Sequence, residues 1–296
     1  MARLQHSYPV DGRGVFGVAI CDSLIYLTQC ECNWINVFSA SDPYDFLDKI
    51  DIPEMTNPSD ILVFECCLYI PDNMSPKPHI YFNMKSDRDH CVWKIPLSNS
   101  ASPIQPEKML TSLEEWWPWT LSRTLDGSRI IITTLRNKVY FWSPEQNVCE
   151  VVTLHPDVHG AQHIIELSCQ SYLICFRSCP KNPCHVCLQK VRRLVRKGNE
   201  MHFAENPSSL DVHHPRHLLE LPDGRILVPD HIKNRVLVLA KDLKNHTVLL
   251  HCGPESNDKT RPCRVAYDSS SKKLVVAFHH SAGLYSLDVD RIEVQH

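Results

Sequence analysis

No run of apolar residues in this 296-residue chain approaches the ~20 needed to cross a bilayer as a helix. The N-terminal MARLQHSYPVDGRG has no basic segment followed by an apolar core, so nothing there reads as a secretory signal. Both absences lead us to expect a cytoplasmic chain with no membrane partner. Charge of one sign is lacking too: a net charge of −3 gives no global pull towards nucleic acid or anionic lipid. No long amphipathic helix is found. Missing as well are a G-x-S-x-G elbow, a phosphate loop and an H-E-x-x-H pair, and no motif calls for a cofactor, so we expect no enzymatic activity. What is present is ordinary for a globular protein with a real core, 43% apolar and 22% charged residues.

Cysteine is the one abundant special residue, at 14. Cys21, Cys66, Cys67, Cys169, Cys175 and Cys263 lie in strand-like runs, where a free thiol behaves as a small buried hydrophobe. Without a secretory signal, reduced thiols are the expected state.

The most legible stretch is His214 to Leu243, HPRHLLELPDGRILVPDHIKNRVLVLAKDL. It reads as three short antiparallel strands. Arg216–Leu221 ends in a Pro222-Asp223-Gly224 turn, Arg225–Pro229 follows, and Asp230–Asn234 turns into Val236–Leu239. In the last strand Val236 and Val238 share one face while Leu237 and Leu239 share the other, so both faces need cover. Counterparts of the apolar second strand recur at Leu24–Leu27, Ile80–Phe82, Arg129–Thr133, Tyr172–Phe176 and Leu274–Phe278, spaced about 50 residues apart. A proline stands three residues ahead of a branched or leucine side chain in Pro58-Ser59-Asp60-Ile61, Pro118-Trp119-Thr120-Leu121, Pro215-Arg216-His217-Leu218 and Pro262-Cys263-Arg264-Val265. That marks the start of an innermost strand, where proline costs no ladder hydrogen bond. Asp126-Gly127 and Asp223-Gly224 repeat at one offset. Third strands follow at Trp34–Phe38, Cys91–Ile95, Lys138–Trp142, His185–Leu188, Val236–Leu239 and Gly283–Leu287. Outer strands are proposed at Val148–Leu154, Leu194–Arg196 and Thr247–His251. Repeated meanders without helices predict an all-β, six-bladed β-propeller of four-stranded antiparallel blades, one domain over 1–296. Its blades fall near 13–55, 56–110, 111–157, 158–210, 211–255 and 256–296. Either 4–10 or 291–295 closes the ring.

The unit Pro215–Leu239, with its DGRILVPDHIKNRVLVL core, resembles an NHL repeat, the blade of six-bladed propellers that include the C-terminal domains of tripartite-motif ubiquitin ligases. Pro262–Leu287 and Pro118–Trp142 resemble it less closely, and the aspartate ending the second strand stands only at Asp230. The resemblance implies a recognition module, a substrate-recognising part of a ubiquitin-ligase system among the options. No segment resembles a RING, a B-box or a coiled coil.

The turns between second and third strands, with the loops entering each first strand, are expected on one face. They carry Lys85, Arg88, Arg136, Arg177, His231, Lys233, Arg235, Arg261, His279 and His280, and Trp117 of Glu114-Glu115-Trp116-Trp117-Pro118-Trp119 joins them. Loops on a rigid scaffold commonly carry binding, so a protein or peptide is the expected partner. The alternative is single-stranded RNA, with the cations on phosphates and Trp117, Tyr81 or His231 stacking bases. A metal-dependent lactonase is a third reading, which would need channel carboxylates from Glu65, Glu166, Glu220 and Asp230. Cys179, Cys184, His185 and Cys187 have a spacing that could hold zinc, against the plainer reading of a turn flanked by buried thiols.

Overall fold

A computed structural model describes residues 2–9, 14–73, 90–97, 105–110, 118–134, 136–167, 171–177, 189–204, 212–254, 260–278, 281–288 and 292. Among them every regular element is a strand. After β1 (Arg3–Pro9), the chain builds a four-stranded meander from β2 (Val15–Cys21), β3 (Leu24–Gln29), β4 (Trp34–Ser39) and β5 (Phe46–Asp51). A second follows from β6 (Leu62–Phe64), β7 (Cys67–Asp72), β8 (Cys91–Pro96) and β9 (Glu107–Met109). The next two are β10 (Pro118–Arg123), β11 (Ile130–Thr134), β12 (Lys138–Ser143), β13 (Val148–Thr153) and β14 (His159–Leu167), β15 (Ser171–Arg177), β16 (Gln189–Lys197), β17 (Glu200–Phe203). They merge into one eight-stranded sheet because β13 and β17 meet in parallel at Thr153 and Glu200. Then come β18 (Leu219–Glu220), β19 (Ile226–Asp230), β20 (Arg235–Leu239) and β21 (His246–His251). The last sheet has β22 (Pro262–Asp268), β23 (Lys273–Phe278) and β24 (Ser281–Ser286), and its fourth strand is β1, paired from Arg3↔Ser286 to Pro9↔Ser281. One end of the chain therefore completes the sheet that the other begins.

Turn chemistry explains the local geometry. Gly127 and Gly224 take φ of 66° and 82°, the left-handed conformation in which glycine meets no Cβ penalty. Each donates its N–H back across the turn, to Thr124 O at 3.0 Å and to Leu221 O at 2.8 Å. The prolines sit where first strands begin: Pro118 and Pro262 lie opposite Thr134 and Phe278, while Pro58 and Pro215 bridge Asp72 and Asp230. Asp72 corrects the expectation that the aspartate ending the second strand occurs only once. Its carboxylate accepts the N–H groups of Thr56 (3.0 Å) and Asn57 (2.7 Å), and Asp230 accepts that of His213 at 3.0 Å. Both pin the segment entering a first strand. In the fourth meander Leu194–Arg196 belongs to β16, which pairs with β15, and the outer strand is β17. The cations of QKVRRLVRK obscure the buried Val191 and Leu194 that make it an interior strand. The expected second strand Ile80–Phe82 and third strand His185–Leu188 lie outside the described residues, and their places in the meanders are taken by β7 and β16, a correction of both assignments.

The core sits between sheets. Six apolar clusters each join two consecutive meanders, and one of them joins the last to the first, through Val275, Ala277 and Leu284 against Val18, Ile25 and Leu27. The two faces of β20 show the arrangement: Val236 and Val238 pack towards β22–β24, Leu237 and Leu239 towards β14–β16. The first strands β2, β6, β10, β14, β18 and β22 touch in that order, and β22 returns to β2. They form a closed inner ring.

Candidate functional site at the centre of the ring

The pairing register gives each inner strand one equivalent position. Gly17, Thr120, His163 and Arg264 lie opposite Thr28, Thr133, Cys175 and Ala277, near the end of each second strand. Asp60 and His217 stand at the same offset, two residues after Pro58 and Pro215. The next residue along is always apolar and buried: Val18, Ile61, Leu121, Ile164, Leu218 and Val265. Its neighbour is polar or glycine because it faces the seam between inner strands, where backbone groups of adjacent sheets need partners.

Those seams are closed by side chains. Thr120 donates to Gln162 O at 2.8 Å, Ser122 to Ile164 O at 2.6 Å and Ser59 to Trp119 O at 2.8 Å. Asp60, 2% exposed, accepts the N–H of Leu121 at 2.9 Å on Oδ2 and Arg264 Nε at 3.4 Å on Oδ1. Arg264 is 3% exposed and donates further to Ser59 O (3.2 Å), Arg216 O (3.2 Å) and Cys263 O (3.1 Å). It reaches Asp60 past β2, where Gly17 presents no side chain. A Cβ on Gly17 would lie 2.6 Å from the Asp60 carbonyl carbon and 2.7 Å from Ile61 N, so glycine is required by the close approach of two backbones.

Two imidazoles complete the centre. His163 Nδ1 accepts the N–H of Leu218 at 3.3 Å, which leaves Nε2 as the protonated nitrogen that donates to Leu121 O at 3.2 Å. His217 lies against it, ring centroids 4.1 Å apart and planes tilted by 41°, and its Nδ1 is buried with no hydrogen-bond partner. Burial, reinforced by the nearby Arg264 charge, lowers the His163 pKa to about 3. Burial, His163 and Arg264 likewise hold His217 well below the ordinary histidine range. Both rings are neutral at physiological pH. Burial raises Asp60 to about 6 despite the opposing pull of Arg264.

The sequence points elsewhere for channel carboxylates, and the structure corrects it. Glu65 is exposed in the turn after β6. Glu166 accepts Leu125 N–H at 3.0 Å and the Tyr172 hydroxyl at 3.1 Å, Glu220 is half-buried, and Asp230 is committed to His213 and Arg235. The central carboxylate is Asp60. The signal for it was present, since Asp60, Thr120, His217 and Arg264 are the third residues of the four proline tetrapeptides.

On the loop face, His231 is buried and its Nδ1 lies 3.2 Å from Pro262 O, so it is held between sheets and does not present a ring for base stacking. Arg235 lies on β20, its Nε 2.9 Å from Asp230 Oδ2, which neutralises it locally. Lys233 and Arg261 are half-buried, and Arg136 is exposed on a separate turn between β11 and β12. His231 and Arg235 come together around Asp230 and Pro262, which Arg261 precedes in the chain; Arg136 belongs to another sheet. Trp119 is buried beside Phe16, ring centroids 6.5 Å apart. Lys85, Arg88, Trp117, His279, His280, Tyr81 and the cysteine–histidine group Cys179, Cys184, His185 and Cys187 lie outside the described residues, as does the Arg177 side chain.

The fold is a β-propeller. No family model matches the chain, and no curated protein matches it in sequence. Among solved structures it is similar to a streptogramin B lyase, with 10% identity, TM-score 0.63 and coverage of 97% of this chain and 98% of that one. It is similar to the WD40 β-propeller domain of Doa1, with 11% identity, TM-score 0.60 and 98% of each chain covered. A virginiamycin B lyase from Staphylococcus aureus aligns with 10% identity, TM-score 0.59, and 97% and 100% of the two chains covered. At these identities the likeness establishes the fold alone. It does overturn one expectation: two of these neighbours are enzymes, so the absence of familiar catalytic motifs does not exclude catalysis on this scaffold.

Proposed function

We propose that the chain is a six-bladed, NHL-like propeller that recognises a protein or peptide on the face carrying its second-to-third-strand turns. In this reading the merged meanders β10–β13 and β14–β17 count as separate blades and β1 is the outer strand of the last, which makes six. The carrying observation is the turn from His231 to Asn234. Around it, Asp230 holds His213 N–H and Arg235, His231 contacts Pro262 O, and Asn234 binds Pro254 O while its own carbonyl accepts Cys252 N–H at 2.7 Å. At its tip Ile232 is 44% exposed. An apolar side chain held outward on a pinned turn costs little ordering entropy when a partner covers it. The WD40 domain among the structural neighbours is in keeping with this reading. The ten described cysteines are free thiols, which suits a reducing compartment such as the cytoplasm.

The test is to pan a displayed peptide library on the immobilised chain. Enriched peptides should be lost by Ile232→Glu and by Trp117→Ala, with unfolding midpoints retained. Equal enrichment on both variants refutes the reading.

A further inference from the structure

We propose that Asp60, His163 and His217 form a binding site for a divalent transition ion of the zinc class at the centre of the ring. One oxygen and two ring nitrogens from these residues lie within 4.8 Å of one another. A tetrahedral ion with bonds of about 2.0–2.2 Å separates its ligand atoms by roughly 3.3–3.6 Å, so movements of about an ångström close the set. Two histidines and one carboxylate are a donor set for zinc, iron or nickel; magnesium and calcium require more oxygen.

The supporting hydrogen bonds fall where such a site needs them. A metal-binding histidine typically donates its other N–H to a carbonyl, which fixes the tautomer. His163 Nε2 does this to Leu121 O, while the N–H of the same residue anchors Asp60 Oδ2. Leu121 thus orients two of the three ligands through its own backbone. The atoms left over are weakly engaged or free: Asp60 Oδ1 meets Arg264 at 3.4 Å, His163 Nδ1 meets Leu218 N–H at 3.3 Å, and His217 Nδ1 has no partner in a ring only 9% exposed. A buried, unpartnered nitrogen loses its hydration without compensation, and a metal bond supplies it. Arg264 opposes the ion by its charge. Its guanidinium is held by three backbone carbonyls, and a carboxylate has lone pairs enough for both an arginine and a metal. Binding gives up the bond from Leu218 to His163 Nδ1 and keeps those from Leu121 to Asp60 Oδ2 and from His163 Nε2 to Leu121 O.

With 14 cysteines in the chain, thiol-bound zinc is the competing explanation for any uptake, so the test must separate nitrogen and oxygen ligands from sulfur. The whole chain, stripped with a chelator and kept reduced, is titrated with Zn²⁺ and Co²⁺ against Mg²⁺ as control. The proposal expects one ion per chain with cobalt d–d bands and no thiolate charge transfer, and no saturable uptake of magnesium. His217→Ala should weaken that ion by more than the roughly 10–100-fold that loss of an outer-shell partner costs. Asp60→Asn should do the same, and any thiol-bound background should remain in both. If His217→Ala fails to fold, His217→Gln keeps the size of the side chain, and zinc X-ray absorption on the unmodified chain reports its nearest neighbours directly. Uptake unchanged in the variants, sulfur-only coordination, or no saturable transition-metal binding would each overturn the proposal.

Discussion

Replacing Arg264 with methionine removes the guanidinium that reaches Asp60 while keeping a long apolar stem. Asp60 is 2% exposed and would retain the N–H groups of Leu121 and Ile61, so it becomes a buried charge without its cation. Breaking a buried pair in this way costs about 3–5 kcal/mol, mostly the penalty on the charge left behind. Ser59 O and Arg216 O lose a donor as well. The carboxyl can escape by taking up a proton. With Arg264 present its pKa is already raised to about 6, and without that cation it moves higher. A carboxyl whose folded pKa lies above its unfolded value binds a proton on folding, so stability rises as pH falls through the folded pKa. The deficit of Arg264→Met should therefore be largest at alkaline pH and shrink as pH falls towards about 6, where the unmodified chain also takes up the proton. Urea unfolding followed by tryptophan fluorescence reads both. Asp60→Asn combined with Arg264→Met should cost clearly less than the sum of the two single changes, because neither charge is then stranded. Additive costs that do not change with pH would refute the reasoning.

Gly17→Ala forces a methyl against the Asp60 and Ile61 backbone at 2.6–2.7 Å and should cost about 1–3 kcal/mol in a denaturant titration. No loss would mean that β2 and the strand entry at Asp60 are farther apart than described. Asp72→Ala strands the N–H groups of Thr56 and Asn57 and the indole of Trp93, at about 1–3 kcal/mol for a buried donor left unmade. Amide exchange at Thr56 and Asn57 should quicken; protection equal to the unmodified chain argues against the pinning role. His163 has its pKa lowered from 6.5 to about 3, so the folded chain resists a proton that the unfolded chain accepts. Its contribution is intact above pH 6.5 and is lost as pH falls towards 3. His163→Gln, which can supply both an acceptor and a donor, should flatten that acid limb, and an unchanged pH profile of urea midpoints would exclude His163 as its source.

The strand order was legible because one blade, Pro215–Leu239, carries every local signal at once: a proline start, an Asp-Gly turn and a third strand apolar on both faces. The remaining repeats keep only some of these. β14 starts at His159 without proline, yet it occupies the same ring position, because its apolar alternation at Ile164 and Ile165, one towards each neighbouring sheet, is enough for the packing between sheets. β16 was misplaced for the opposite reason, since Lys190, Arg192, Arg193, Arg196 and Lys197 make an interior strand look like a solvated edge. Its cations find places at the periphery: Arg192 lies 3.9 Å over the Phe203 ring and Arg196 pairs with Glu150. Periodicity reports which side chains face a neighbouring sheet. It does not report what a long cationic side chain does with its far end.

The centre of the ring was missed for a different physical reason, visible in two adjacent columns of the repeat. Val18, Ile61, Leu121, Ile164, Leu218 and Val265 answer to the same environment, the apolar contact between sheets, so they are interchangeable and announce themselves as a pattern. Gly17, Asp60, Thr120, His163, His217 and Arg264 answer to different surroundings, and each must match its neighbours: a carboxylate for an N–H and a guanidinium, a hydroxyl for a carbonyl, glycine where two backbones touch. A search for likeness passes over such a column. Yet stability alone would be served by hydroxyls repeating the Thr120 bond around the ring, and burying two neutral imidazoles beside an ion pair costs more than that. The departure from symmetry is concentrated in three residues that bring an oxygen and two ring nitrogens within 4.8 Å of one another, which is why the centre of the ring, and not only its loop face, is where the chemistry of this chain should be sought.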